Sequence, residues 1–116
     1  MLKTRPGETV IIAGEVIDTW YEANAWRGSR EVHYPGYRKV FEVETREGHF
    51  TGPIPKGLEE TQAEDYVRFT AAVREDGRFT RPRKAEYLYR PFEWIDDEER
   101  CEAALDRLVS EGLLEG

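Results

Sequence analysis

The chain has 116 residues, with three Trp, six Tyr and five Phe, 35% charged residues and a formal net charge of −7. That length suits one domain with one core, and the aromatic content is too high for a disordered polyelectrolyte. No apolar run approaches the roughly 18 residues of a membrane span, and the opening MLKTRPGE lacks the apolar centre of a signal peptide, so a cytoplasmic chain without a membrane partner is expected.

The negative charge is unevenly spread. Residues 1–90 hold fifteen basic and fifteen acidic side chains, whereas residues 91–116 hold nine acidic and two basic ones, so the tail carries the whole imbalance. A neutral body with local basic patches still attracts phosphate, because steering follows local potential. Cys101 has no partner for an internal disulfide and falls where a helical pattern wants a small apolar filler.

The run Thr9 to Trp20 is rich in β-branched residues, with Val10, Ile12, Gly14 and Val16 on one side of a period-two pattern. It predicts a long first strand, and Gly14 suits a sharp bend or bulge where one strand serves two halves of a small barrel. Glu22 to Arg38 carries Gly28, Pro35 and Gly36 as breakers and reads as a long functional loop. Lys39 to Arg46 alternates Phe41 and Val43 against Glu42 and Glu44, and Glu47-Gly48 turns it into His49 to Gly52, a hairpin. The segment PIPKGLEETQAED is a connector with at most one helical turn around Leu58 to Ala63.

Tyr66 to Arg74 alternates Val67, Phe69, Ala71 and Val73 against Arg68 and Thr70. A turn at Glu75 to Arg78 leads to a last strand from Phe79 to Tyr89, in which Pro82 demands a sheet edge or a break. After Pro91 the period changes: Cys101, Ala104, Leu105, Leu108 and Val109 form a helical stripe. Asp96 and Glu99 have capping-box spacing, and Gly112 supplies a stop. The stripe is expected on the side of its own barrel, capped by Phe92, Trp94 and Ile95, or on a partner.

This order predicts a mainly β fold, a five-stranded OB-like Greek-key barrel over residues 1–92 with an acidic amphipathic C-terminal helix over residues 93–116. The runs RKVFEVETREGHFTGPIPKGL, YVRFTAAV and FTRPRKAEYL resemble small OB-type (oligonucleotide/oligosaccharide-binding) domains of phage-borne DNA-metabolism proteins. That resemblance spans roughly residues 9 to 88. It implies single-stranded DNA or RNA binding and extends to Arg81, Pro82, Arg83, Lys84 and Ala85 and to the aromatics of the middle strands.

Two constellations carry the functional expectation. Trp26, Arg27, Arg30, His33, Tyr34, Tyr37, Arg38 and Lys39 alternate rings and cations. Such a mixture holds single strands by stacking bases and pairing phosphates. The second is the cationic stretch Arg74, Arg78, Arg81, Arg83, Lys84 and Arg90, in which Arg81 and Arg83 are expected to point the same way along a regular strand. The bland readings are aromatics folded over the barrel end and a solvated strand face protecting an edge.

Enzyme chemistry has little to stand on. His33 and His49 lack metal-ligand spacing, Gly48-x-x-x-Gly52 lacks the Lys-Ser/Thr of a phosphate loop, and Glu42 with Glu44 reads as a solvent-facing acidic pair. The expected function is therefore a single-stranded nucleic-acid-binding accessory protein, with no catalytic residue, metal or cofactor. Trp26, Tyr34 and Tyr37 would stack, and Arg27, Arg30, Arg38, Lys39, Arg81, Arg83 and Lys84 would hold phosphates. The rival is a protein-interaction module that joins itself or a replication, packaging or defence component through Leu105, Leu108 and Val109.

Overall fold

The computed structural model describes residues 8–23 and 37–115. It is mainly β: five strands, β1 (Thr9–Ala23), β2 (Tyr37–Thr45), β3 (Gly48–Pro53), β4 (Tyr66–Val73) and β5 (Phe79–Tyr89), precede one helix, α1 (Glu98–Ser110). The strands form one antiparallel sheet in the order β3-β2-β1-β4-β5. Ladder pairing does not close it into a ring. Among the described residues, β3 meets the turn before β5 at one parallel bridge, Thr51 to Arg78, where the Thr51 N–H donates to the Gly77 carbonyl at 3.1 Å.

β1 is the hinge of this arrangement. Its first half, Thr9 to Glu15, pairs with β4, and its second half, Glu15 to Ala23, pairs with β2. Gly14 sits at the handover. A Cβ built there would lie 2.0 Å from the Glu44 carbonyl oxygen, so only glycine lets β2 approach. A bulge between Val16 and Asp18 then re-aims the strand, and the flanking backbone is held by the connector: the Val16 N–H donates to the Asp65 carbonyl at 2.8 Å, and the Glu64 N–H donates to the Val16 carbonyl at 2.7 Å.

Period-two alternation sends Ile12, Val16, Phe41, Val43, Phe50, Val67, Phe69, Ala71, Val73 and Phe79 into one core. At its centre Phe41, Phe69 and Phe79 form a ring triad with centroids 5.0 to 5.9 Å apart, so three strands share one aromatic contact. The connector from Ile54 to Asp65 contains successive turns, with Leu58 N–H to Pro55 carbonyl and Thr61 N–H to Leu58 carbonyl bonds, and Leu58 plugs the core.

α1 packs on its own sheet through Ala104 and Leu108. Leu108, expected on a partner-facing stripe, is fully buried and closed to a partner; Leu105 and Val109 remain 38% and 42% exposed. Phe92 and Ile95, expected to cap the stripe, are exposed, and only Trp94 tucks in, its carbonyl taking the Cys101 thiol at 2.9 Å. The N-cap is Asp97 rather than Asp96, its carboxylate accepting from the Arg100 N–H at 3.1 Å. The helix ends in a Schellman turn at Gly112 (φ 76°), with Leu113 N–H to Leu108 carbonyl and Gly112 N–H to Val109 carbonyl bonds.

Among the described residues no helix is long and apolar enough to cross a membrane.

Candidate functional site

The cations of the last strand sit on an irregular backbone. Ala72 pairs with Thr80 and Thr70 with Arg83, then Arg68 with Glu86, so each two-residue step of β4 faces a three-residue step of β5. Each extra residue falls beside a left-handed backbone position that is not glycine, Arg81 at φ 53° and Lys84 at φ 56°. Conformations of this kind cost of order 1 to 3 kcal/mol each and persist only where surrounding structure over-determines them. Pro82, lacking a donor, lies in the first bulge, as its chemistry requires.

These bulges overturn the expectation that Arg81 and Arg83 alternate along a regular strand. Arg83, opposite Thr70, lies on the face away from Phe69 and Ala71, whereas Arg81 occupies the bulge itself. Arg81, Arg83 and Lys84 are all exposed. No carboxylate among the described residues pairs with any of them.

Two other cations of the same stretch are committed elsewhere. Arg90 is buried, its Nε donating to the fully buried Asp65 at 3.1 Å, its second amine to the Glu60 carbonyl at 2.8 Å, and its guanidinium lying 4.2 Å from the Tyr87 ring centre. Arg78 donates to Glu22 at 2.9 Å. That hydrogen bond is the chief reason the Glu22 carboxyl is held below the usual carboxylate range, with the Trp20 indole donating to its other oxygen at 3.2 Å. In the sequence both arginines belong to the cationic stretch; the acidic partners of Arg78 and Arg90 stand 56 and 25 residues away in the chain.

The ladder between β1 and β2 runs past the end of β3, whose last partner is Val40, and leaves a two-stranded arm of Trp20 to Ala23 against Tyr37 to Val40. Cross-strand partners share a face. Tyr21, Lys39, Ala23 and Tyr37 therefore lie together on one face of the arm, with Tyr21 69% and Tyr37 70% exposed. Trp20, Glu22, Arg38 and Val40 take the other face, where Val40 is fully buried although it lies outside the main core. The Ile54 N–H donates to the Lys39 carbonyl at 3.2 Å, and Arg78 reaches Glu22, so the arm and the start of β5 gather at one end of the sheet.

Of the residues singled out from sequence, Trp26, Arg27, Arg30, His33 and Tyr34 lie outside the described residues. Tyr37, Arg38 and Lys39 stand on the arm, with Arg38 turned to the Glu22 side. Tyr21 was missed, because the polar run after Trp20 reads as loop and hides the last turn of alternation.

The outward face of the other half-sheet has the opposite sign. Asp18, Glu42 and Glu44 share it with His49, whose two ring nitrogens meet Glu42 and, at 3.2 Å, Glu44. The hydrogen bond its ring donates to the Glu42 carboxylate raises the His49 pKa above its ordinary value. Among the described residues no group of three or more His, Cys, Asp or Glu forms a metal-holding cluster. A cavity of about 260 Å³ beside Gly14, lined by Glu15, Glu44, Arg46, Tyr66 and the tail at Leu113, includes none of the residues expected to bind.

No protein-family model matches the chain, and neither a curated protein nor a solved structure matches it.

Ion pairs join the end of α1 to the sheet. Arg68 on β4 and Arg107 on the helix interleave with Glu86 and Glu111 at 2.7 to 3.6 Å, a four-charge row that fixes the helix C-terminus to β4 and β5.

Proposed function

We propose that this chain is a partly open OB-type barrel that binds single-stranded nucleic acid as an accessory protein, through the cations of β5 and the arm of β1 and β2. The single observation that carries the reading is the row Arg81, Arg83 and Lys84, exposed, free of carboxylate partners among the described residues, and set on two strained bulges. Strained backbone and concentrated like charge both cost stability, and a polyanion offsets the second directly.

The strand order, a first strand shared by both halves and the parallel bridge from β3 to Arg78, just before β5, support the barrel. In that fold the face of the second and third strands commonly carries ligand, but here that face is acidic. The path of the polyanion therefore runs along β5 and the arm, and the acidic face and α1 bound it.

The test is a titration of a labelled single-stranded oligonucleotide at low and moderate salt. Binding should weaken steeply with salt, and the triple substitution Arg81→Gln, Arg83→Gln, Lys84→Gln should lower the log–log salt slope by about 2, at about 0.7 per phosphate contact on a single strand. Failure to saturate at micromolar protein in low salt removes the reading.

A second reading has its own observation: Leu105 and Val109 are half-exposed beside Asp106 and Glu102 on α1, with Phe92 and Ile95 exposed in the preceding turn. This acidic, apolar surface suits a protein partner or a second copy. Light scattering of Leu105→Ser, Val109→Ser against the parent chain separates the readings, since loss of an oligomer with oligonucleotide binding intact assigns that surface to assembly.

A further inference from the structure

We infer that Tyr21 and Tyr37, on one face of the arm, form a stacking platform for the unpaired bases of a single strand, with Lys39 beside them holding a phosphate. The inference rests on the nucleic-acid reading and supplies its missing half, because the β5 cations account for backbone binding but offer no surface for bases.

The geometry comes from the register. Tyr21 stands opposite Lys39, and Ala23 stands opposite Tyr37, so the two tyrosines are diagonal neighbours across one antiparallel pair. Diagonal neighbours lie about 7 to 8 Å apart, within reach of aromatic side chains. This face continues the one that carries Phe41 and Val43, but the core has ended by that point and nothing among the described residues covers the rings. Two tyrosines about 70% exposed on neighbouring strands of a domain that buries all four of its described strand phenylalanines are out of keeping with a merely solvated strand end.

Charge selects the occupant. Lys39 shares the face of the rings, next to both, whereas Arg38 and the contact of Arg78 with Glu22 lie on the reverse of the same arm, and Arg81 follows Arg78 by three residues. Two rings with a cation on their own face, on a narrow arm with further cations on its reverse, suit a chain that alternates planar groups with negative charges, which describes single-stranded nucleic acid. An acidic or apolar peptide would satisfy only part of this set.

The experiment uses the full chain and two oligonucleotides of equal length, one natural and one carrying abasic sites, so that the phosphates are matched and the bases are not. The variants are Tyr21→Ala with Tyr37→Ala, and the ring-preserving pair Tyr21→Phe with Tyr37→Phe. The parent chain should prefer the natural strand. The alanine pair should lose affinity for the natural strand by about 5- to 150-fold per stacked base and lose almost nothing on the abasic strand, while the phenylalanine pair should bind like the parent.

Equal binding of natural and abasic strands by the parent, or an alanine pair that keeps full affinity for the natural strand, overturns the platform while leaving phosphate binding by β5 in place. No binding of either strand in low salt overturns the platform together with the reading on which it rests. Both tyrosines are exposed, so the alanine variants should retain the parent's thermal transition; the phenylalanine pair reports separately on any loss of strand stability.

Discussion

The Arg78 guanidinium donates to the Glu22 carboxylate at 2.9 Å, joining the first residue before β5 to the end of β1 across 56 positions of sequence. This contact ties the projecting arm to the second half of the sheet. As a partly exposed ion pair it should contribute no more than about 1 kcal/mol to global stability. Its main effect should be local: Glu22→Gln should speed amide exchange at Ala23 and Tyr37 more than in the core. Because the folded-state pKa of Glu22 is lowered, its contribution is present above the unfolded value and is lost as pH falls through the folded one. Arm protection should therefore fade on acidification in the parent and be low and pH-independent in the variant.

Gly14→Ala should destabilise the fold by about 3 kcal/mol, the upper end of ordinary overpacking, because its Cβ would meet the Glu44 carbonyl at 2.0 Å where backbone cannot yield cheaply. Urea denaturation of the two proteins measures this. A change under 0.5 kcal/mol would show that β1 and β2 do not approach so closely at the handover.

Asp65→Ala should cost about 3 to 5 kcal/mol, since it leaves the Arg90 guanidinium buried without its counter-ion. Removing both charges, with Asp65→Leu and Arg90→Met, should recover much of that loss. A double-mutant cycle by chemical denaturation checks the pair, and simple additivity of the two single changes would contradict it.

His49 should titrate above the ordinary histidine value, chiefly because Glu42 hydrogen-bonds its ring, with Glu44 acting in the same direction. A raised folded-state pKa means that the contribution is complete below the unfolded value and disappears as pH climbs through the folded one. Ring-proton shifts followed by NMR should show the displaced titration, and His49→Gln should remove the alkaline-side loss of protection in the β2–β3 hairpin. High salt should shrink the effect, because the group is exposed.

Local chemistry made much of the fold legible. Alternation marked Phe41, Val43, Phe69 and Val73 as inward, Gly14 marked the strand handover, and Pro82 marked a break in β5. What escaped was long-range or involved small shifts of register. Arg78 and Arg90 look like free cations until the sheet brings Glu22 and Asp65 to them. His49 meets carboxylates five and seven residues away only because a hairpin folds them onto one face. Tyr21 was hidden because the chain turns polar directly after it, at Glu22, the pattern of a strand that has outrun its core. Pro82 announces the bulge at Arg81, but the one at Lys84 leaves no mark in the sequence, and neither Arg nor Lys announces a left-handed backbone.

The handover within β1 also governs assembly of the native state. The earliest of the described strands is finished late, because most of its opening half must wait for Tyr66 to Val73 to leave the ribosome before it gains its ladder partner, while its closing half can zip onto β2 much sooner. Loop closure over that distance, and the long-range pairings that follow, place such a chain among the slower two-state folders, on a timescale of roughly milliseconds to seconds.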